Sequence, residues 1–298
     1  MTPDQVLRHA PKVLTQDQRA FYFEHGYLLL AGFVGQDWLD RLGRVTDRFI
    51  AESRTRTTSD PVFDLEPNHT AEAPRLRRIS HPVTLDPVYE EFGLRGPLLD
   101  LAEDLVGPNV KFHHSKLNFK WADGGEEVKW HQDIQFWPHS NYSPLTIGVY
   151  LDDVDDAMGP MGVVPGSHRS EIFDLYGDDG AWAGAIRERD LARVALDDVH
   201  WLKGPKGSVT IHNCRTVHGS RANHSARGRP LLLHTYAAAD ALTLEGSIVQ
   251  NIPLSNTVVR GAPARWVRFD AEPCLIPPDW SQGYTSIFAL QQNEGPAE

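Results

Sequence analysis

The stretch Lys111-Phe112-His113-His114-Ser115-Lys116-Leu117-Asn118-Phe119-Lys120-Trp121 decides the predicted fold. In an extended strand, successive side chains point to opposite faces. One face then carries His114, Lys116, Asn118 and Lys120, and the other carries Ser115, Leu117, Phe119 and Trp121. A strand face this polar is either solvated or lines a pocket, and the pattern alone leaves both readings open.

Further short runs that are apolar or β-branched follow this stretch and are separated by Gly, Pro and Asp: Thr146–Leu151, Ser208–His212 and Leu231–Tyr236. Such spacing predicts a mainly β fold with flanking helices, a barrel or jelly roll. We expect a single domain over residues 1–298, with a helical N-terminal part at about 1–107. A β core at about 108–240 and a C-terminal extension at 241–298 complete the prediction.

The N-terminal part begins with a helix signal. Thr15 and Gln18 form a potential capping box, and Gly26 ends the segment. The apolar run Tyr27–Leu30 predicts a buried strand. From Asp37 to about Glu52, apolar residues recur at helical spacing and predict an amphipathic helix.

The remaining N-terminal segments are predicted as a loop and a second helix. The stretch from Arg54 to about His81 is polar and has no sustained period, so we expect a long loop that acts as a lid. A helix is expected from Val88 to Leu105, ended by Gly107-Pro108. A second lid candidate is the segment from Tyr176 to His200.

Composition narrows the classes of partner. The chain has 298 residues, a net charge of -11 and a pI near 5.7, which argues against binding the phosphates of nucleic acids. Cys214 and Cys274 stand far apart and suggest neither a disulfide framework nor a zinc knuckle. No signal peptide or membrane-spanning run is recognisable, so we expect a cytoplasmic protein with a small-molecule partner.

The first chemical motif is Trp130-His131-Gln132-Asp133. In an extended strand, His131 and Asp133 point to the same side and can bind one metal ion through an imidazole and a carboxylate. The run Ser208–Ser220 then places His218 beside a glycine at the end of a strand pattern. Two histidines and one carboxylate leave three open positions on an octahedral metal, which suits an oxygen-activating iron better than a closed zinc site.

Arg229 is the candidate that suggests an organic co-substrate. It precedes Pro230 and an apolar strand, and its guanidinium can pair bidentately with the far carboxylate of a keto acid that chelates the metal. Ser220 could add a hydroxyl to the same carboxylate, and Asn118 could reach the carboxylate nearer the metal. If the strand leading to His218 is regular, His212, Cys214 and Thr216 lie on one side of it and line the pocket.

These segments resemble a known family. LNFKW, WHQD, GPMGVVPGSHR (Gly159 to Arg169) and VHGSRANHSARGRP are similar to the phytanoyl-CoA dioxygenase family of Fe(II)/2-oxoglutarate oxygenases, over roughly 22–240. The resemblance implies a double-stranded β-helix, a cupin-like jelly roll, with His131, Asp133 and His218 as iron ligands. It also implies that Arg229 and Ser220 bind 2-oxoglutarate in a pocket lined by Asn118 and Trp137. The segment Pro165-Gly166-Ser167-His168 is interpreted as structural.

The expected reaction is hydroxylation of an unactivated C–H bond of a small metabolite by Fe(II), 2-oxoglutarate and O2, with release of succinate and CO2. Asp133 favours hydroxylation over halogenation, because related halogenases have a small residue there. An acyl-CoA substrate is disfavoured, since Arg75, Arg77 and Arg78 are the one basic cluster that stands out for its phosphates. Alternatives are desaturation, epimerisation or rearrangement, a catalytically inactive cupin-like binding protein, and a zinc hydrolase. The sequence leaves the oligomeric state open.

Overall fold

A computed structural model describes residues 1–122, 125–244, 252–279 and 286–291. Its α-helices are α1 (Pro3–Leu7), α2 (Gln16–His25), α3 (Gln36–Ser53), α4 (Pro87–Arg95), α5 (Leu98–Val106), α6 (Glu188–Leu191) and α7 (Ile287–Gln291). Its strands are β1 (Tyr27–Leu30), β2 (Phe63–Leu65), β3 (Leu76–Ser80), β4 (Val110–Asn118), β5 (Val128–His131), β6 (Leu145–Tyr150), β7 (Met161–Val163), β8 (His200–Leu202), β9 (Val209–Asn213), β10 (His218–Ser220), β11 (Leu231–Ala238) and β12 (Val258–Arg260). No helix in these ranges is long and apolar enough to cross a bilayer.

Two antiparallel sheets form the β core. The large sheet has the order β1-β9-β6-β11-β4-β3-β2, with β12 also paired to β4, and the small sheet has the order β5-β10-β7-β8. From β5 to β11 the chain passes repeatedly from one sheet to the other, which is the pattern of a jelly roll. The predicted mainly β, double-stranded β-helix fold is therefore confirmed.

The predicted N-terminal helices form where their sequence signals lie. The Thr15 hydroxyl accepts the Gln18 amide, and the Gln18 side chain accepts the Thr15 amide, so the capping box begins α2 as expected. Gly26 ends α2 with a φ of 81°, a left-handed conformation that favours glycine. The apolar face of α3 packs into a core that includes Leu42 and Phe49.

Two N-terminal predictions are wrong. The helix expected from Val88 to Leu105 is two helices, because Pro97 lacks an N–H and its ring clashes with the preceding turn. The segment expected as a polar loop from Arg54 to His81 contains the hairpin of β2 and β3. The hairpin has few apolar residues, but they are buried. Strand β3 also pairs with β4, with Arg78 opposite Asn118.

The strand predicted at Tyr27–Leu30 forms as β1 within the helical N-terminal part, and β2 and β3, which were not predicted, join it in the large sheet. That the whole chain forms one domain remains a prediction. The segment Pro165-Gly166-Ser167-His168, predicted to be structural, binds the end of α2. The Gly166 amide donates to the His25 carbonyl, and the His168 ring contacts the Phe23 carbonyl. Of the lid candidates, Tyr176 to His200 contains α6 and otherwise mostly irregular backbone.

The run from Ser208 to Ser220 is not one strand. It divides into β9 in the large sheet and β10 in the small sheet, joined by a turn at Cys214–Arg215. The shared side expected for His212, Cys214 and Thr216 is therefore wrong. His212 reaches the predicted metal ligands, whereas Cys214 packs in an apolar cluster and the Thr216 hydroxyl donates to the Gly26 carbonyl.

Candidate active site

The register of the small sheet brings the predicted metal ligands together. His131 on β5 and His218 on β10 are direct partners across the antiparallel pair, so both imidazoles point to the same face. Asp133 begins a short 3-10 helix just beyond β5, two residues after His131, and is not itself in the strand. One donor atom from each of the three residues lies within 4.8 Å of the others, and all three side chains are buried.

Backbone carbonyls orient the two imidazoles for metal binding. His131 Nδ1 lies 2.8 Å from the Lys129 carbonyl oxygen, and His218 Nδ1 lies 2.9 Å from the Thr216 carbonyl oxygen. A carbonyl can only accept, so both Nδ1 atoms carry the proton and both Nε2 atoms keep a free lone pair. Each Nε2 lies 3.9 Å from Asp133 Oδ1. The three free donors thus converge on one point.

The second carboxylate oxygen of Asp133 is held by the large sheet. Asp133 Oδ2 accepts the Thr146 hydroxyl at 3.2 Å and lies 3.3 Å from His212 Nε2. Thr146 in turn contacts the Thr235 hydroxyl at 3.0 Å. These contacts turn Oδ1 toward the two imidazoles, in the way that neighbouring groups commonly orient metal ligands.

Burial and charge set the protonation states that metal binding requires. Burial lowers the pKa of His131 to about 4 and the pKa of His218 well below its usual value, so both are neutral. Burial alone would raise the pKa of Asp133, but Lys116, His212 and His218 lower it well below its usual range. Two neutral imidazoles and one carboxylate fit Fe(II) with open positions.

A first compartment opens beside the triad, between the two sheets. Its walls include His131, Asp133, His218, Ser220 and Val128 from the small-sheet side, and Lys116, Asn118, Thr146, His212, Leu231 and Leu233 from the large sheet, with Arg229 beside them. Arg229 is 3% exposed, and its Nε and Nη1 atoms have no hydrogen-bond partner among the described residues. A buried guanidinium in this state is costly unless an anion completes it.

Two further predicted residues line this compartment. Ser220 lies two residues after His218 on β10, and Asn118 ends β4, where its Oδ1 accepts Arg78 Nε at 3.0 Å. Gly219, between His218 and Ser220, allows β10 to lie against β5. A Cβ atom there would come within 2.8 Å of the Val128 carbonyl oxygen. The glycine beside the metal ligand is thus explained by a close strand contact.

Trp137 lies elsewhere. It is almost fully buried, packs against the rings of His113 and His114, and lines a second compartment. The walls of this second compartment are Pro61, Arg78, Ser80, His81, His114, Ser115, Lys116, Asp133, Phe136, Trp137 and Ile287. The two compartments share Lys116, Asp133 and Ile287, so they meet at the metal ligands.

Helix α7 borders both compartments. Ile287 lines both of them, Phe288 lines the first, and both side chains are buried. Gln291 fixes the helix to the core, since its Oε1 accepts the Lys129 amide at 2.8 Å and its Nε2 donates to the Gly184 carbonyl at 2.8 Å. Sequence reasoning missed this element, although the adjacent apolar pair Ile287-Phe288 in a polar tail was a usable signal.

Other site residues were missed or left open. The sequence predicts only a strand at Thr146, because its contact with Asp133 joins the large sheet to the turn after β5. Lys116 was weighed between solvent and pocket, and it faces both compartments. Lys120, from the same predicted face, instead donates to the Arg221 carbonyl behind Arg229. The alternating pattern of β4 therefore predicts which face of the strand lines a pocket, but not how many residues of that face reach it.

The fold and the triad define a class: the non-haem iron oxygenases that use 2-oxoglutarate as co-substrate. A family model described as phytanoyl-CoA dioxygenase (PhyH) matches residues 22–231, and the chain belongs to this family. The three metal ligands, Ser220 and Arg229 all lie within the matched residues. The enzyme class expected from the sequence is confirmed by this membership.

Individual relatives and structures agree with the family. The chain is 32% identical over 233 residues to a probable alpha-ketoglutarate-dependent hypophosphite dioxygenase of Stutzerimonas stutzeri, covering 77% of this chain and 81% of the relative. It is 34% identical over 161 residues to the L-proline trans-4-hydroxylase of Streptomyces griseoviridis, covering 47% and 59%. The fold matches crystalline EctD from S. alaskensis with 2-oxoglutarate and 5-hydroxyectoine, at a TM-score of 0.67 and 22% identity over 88% of this chain and 92% of that one.

Proposed function

We propose that this oxygenase hydroxylates an unactivated C–H bond of a small-molecule metabolite. In the overall reaction one oxygen atom of O2 enters the substrate, and the other enters the succinate formed from 2-oxoglutarate as CO2 is released. The buried Arg229 guanidinium carries the co-substrate assignment, because it lies in the compartment of the triad with two nitrogen atoms that lack a partner among the described residues.

The residues divide into two groups in this proposal. His131, Asp133 and His218 hold Fe(II), which supplies the oxidising chemistry once bound. Arg229 pairs with the far carboxylate of 2-oxoglutarate, Ser220 adds a hydroxyl to it, and Asn118 faces the end nearer the metal. Trp137, predicted for the same pocket, lies in the wall of the second compartment, so we assign it no co-substrate contact.

The chain's own residues then position the reactants and exclude water. The neutral Nε2 atoms and the ionised Asp133 are ready to bind metal without a further proton transfer. Apolar Leu231, Leu233 and Phe288 surround the first compartment and limit solvent access to it. Because Asp133 occupies the carboxylate position, hydroxylation is favoured over halide transfer.

The substrate proposal rests on the lining of the site and on the relatives. Each compartment lies among side chains of the β core and presents a few convergent polar groups, as sites for small molecules do. The named relatives act on hypophosphite and L-proline, which are compact compounds and not acyl-CoA thioesters. Both cysteines are free thiols, which is in keeping with a cytoplasmic enzyme.

The test is succinate formation. The protein is reconstituted anaerobically with Fe(II) and 2-oxoglutarate, mixed with O2 and ascorbate, and succinate is measured by mass spectrometry. We expect slow succinate formation without substrate, its loss in His131→Ala, and no change in His224→Ala, which replaces an exposed histidine. Iron-loaded protein that binds 2-oxoglutarate but forms no succinate would contradict the proposal and favour a binding protein. Succinate formation that persists when zinc replaces iron would also contradict it, because the turnover would then not depend on iron.

A further inference from the structure

The second compartment contains two cations that the proposed chemistry does not use. Arg78 on β3 is 4% exposed and Lys116 on β4 is half-buried, and both line this compartment beside the triad. The paired strands place them on one wall, since Ser80 is the register partner of Lys116 and Arg78 is the partner of Asn118. The charges therefore lie on adjacent strands and face the same space.

Neither cation forms an ion pair with a described residue. Arg78 Nε donates to Asn118 Oδ1 at 3.0 Å, and the guanidinium lies 6.0 Å from the Phe288 ring, while its two terminal nitrogens form no hydrogen bond with any described residue. Lys116 forms no ion pair within the described part of the chain. Among the described residues that line the two compartments, Asp133 is the one carboxylate, and it belongs to the proposed metal site.

The charges of the loaded site leave these two cations in excess. The positive charges of Fe(II) and Arg229 equal the negative charges of Asp133 and the two carboxylates of 2-oxoglutarate. This equality holds whichever cation each carboxylate contacts. Arg78 and Lys116 then remain in excess in a compartment whose walls also include Phe136, Trp137 and Ile287. Uncompensated charge in such a place is unfavourable until an anion enters.

We propose that the second compartment binds the substrate as a small oxyanion, either a carboxylate or a phosphorus oxyacid, through Arg78 and Lys116. This inference rests on the proposed function, because it assumes that 2-oxoglutarate occupies the first compartment. Since the two compartments meet at Asp133, an anion bound there has its neighbouring atoms directed toward the metal. Arg78 presents a planar pair of donors to an oxyanion, and Lys116 presents a point charge.

The test is binding by the anaerobic Fe(II)–2-oxoglutarate complex, measured by calorimetry without turnover. The probes are hypophosphite and propionate, two oxyanions of different chemistry, with propionamide as the neutral counterpart of propionate. We expect at least one oxyanion to bind more tightly than propionamide. Which of the two binds better separates a phosphorus oxyacid from a carboxylate as the preferred group.

Variants test the two cations separately. Arg78→Gln and Lys116→Met should each weaken the bound oxyanion about 30-fold or more, since each removes one partner of a buried charge pair. Arg78→Lys keeps the charge and should retain part of the affinity, which guards against a folding defect. Arg54→Gln changes an exposed arginine before the same hairpin and should have no effect.

Binding of 2-oxoglutarate is measured first in every variant. If the wild-type protein does not bind 2-oxoglutarate, the proposed function fails. If 2-oxoglutarate binds to all variants but the oxyanions bind no better than propionamide, or equally well to Arg78→Gln, this inference alone is overturned. Loss of 2-oxoglutarate binding in Arg78→Gln would also overturn it, because Arg78 would then hold the co-substrate.

Discussion

At the scale of single residues, the buried and incompletely hydrogen-bonded guanidinium of Arg229 indicates a ligand-binding site. Its guanidinium is buried while its backbone is fixed to Lys120 by two hydrogen bonds, so the side chain cannot reach solvent by a small shift. Burial of a guanidinium with two unpaired nitrogen atoms and no anionic partner is unfavourable, and a dicarboxylate reduces that cost by binding. The buried guanidinium thus lowers the stability of the unliganded protein and raises its affinity for the dicarboxylate.

Arg229→Lys should weaken 2-oxoglutarate binding about 10- to 100-fold, because an ammonium cannot form the paired hydrogen bonds of a guanidinium. Calorimetry with Mn(II)-loaded protein measures this without turnover. Arg227→Lys is the matched control, since Arg227 is an exposed arginine that pairs with Asp152. Equal affinity of Arg229→Lys and the wild type would show that the far carboxylate binds elsewhere.

Thr146 offers a test of how Asp133 is oriented. Thr146→Val keeps the shape of the side chain but removes the hydrogen bond to Asp133 Oδ2. We expect Fe(II) affinity to fall about 10- to 100-fold, the usual effect of losing a group that orients a metal ligand. Equilibrium dialysis measures the affinity, and Thr55→Val, which changes an exposed threonine, should bind as tightly as the wild type.

Residue-scale prediction from sequence worked where the chemistry is local. His218 and Ser220 lie two positions apart on β10, so the side-chain period of a strand relates them. His131 and Asp133 are equally close in sequence, although the chain leaves β5 between them. Thr146 and Arg78 could not be assigned in this way. Their contacts depend on the register of β6 against β9 and of β3 against β4, which no local pattern encodes.

At the scale of elements, the signals that succeeded were again local. The capping box of α2 and the helical period of α3 act within a few residues, and both helices form as predicted. The hairpin of β2 and β3 was missed because its strands are short and surrounded by polar residues. Pairing with β4 stabilises β3, which is a tertiary effect that overrides the weak local preference.

Helix α7 is held over the site by the packing of Ile287 and Phe288 and by three hydrogen bonds of Gln291, two of them from its side chain. Gln291→Ala should release α7 and leave the Lys129 amide without its acceptor. We therefore expect faster hydrogen exchange in a peptide covering β5, together with faster substrate-independent succinate formation as water gains access.

Gln16→Ala serves as the control for α7, because Gln16 is an exposed glutamine that bonds the Leu7 carbonyl far from the site. It should leave exchange in β5 unchanged. Unaltered exchange in Gln291→Ala would mean that α7 is held mainly by the apolar contacts of Ile287 and Phe288.

At the scale of the whole molecule, buried histidines link stability to pH. His234 on β11 packs among Phe92, Phe112 and Tyr236, and neither ring nitrogen has a partner in the described structure. Burial lowers the pKa of His234 to about 3 from an ordinary value of 6.5. Between these values the unfolded chain binds a proton that the folded chain does not, so stability falls as the pH falls from 6.5 toward 3.

His234→Leu should remove this contribution. The slope of the free energy of unfolding against pH should decrease by up to about 1.4 kcal/mol per pH unit in that range. Urea denaturation at several pH values between 7 and 4 measures the slope, and His9→Gln, at an exposed position, should retain the wild-type slope. An unchanged slope in His234→Leu would show that His234 is protonated in the folded protein.

The alternation of strands between the two sheets also governs when the protein can first hold iron. During synthesis, His131 and Asp133 leave the ribosome well before His218, so the emerging chain carries an incomplete ligand set. The last ligand arrives on β10, which must enter the gap between β5 and β7. The complete iron site can therefore form only after β10 has paired with β5 and β7, so bound iron indicates that the small sheet has assembled.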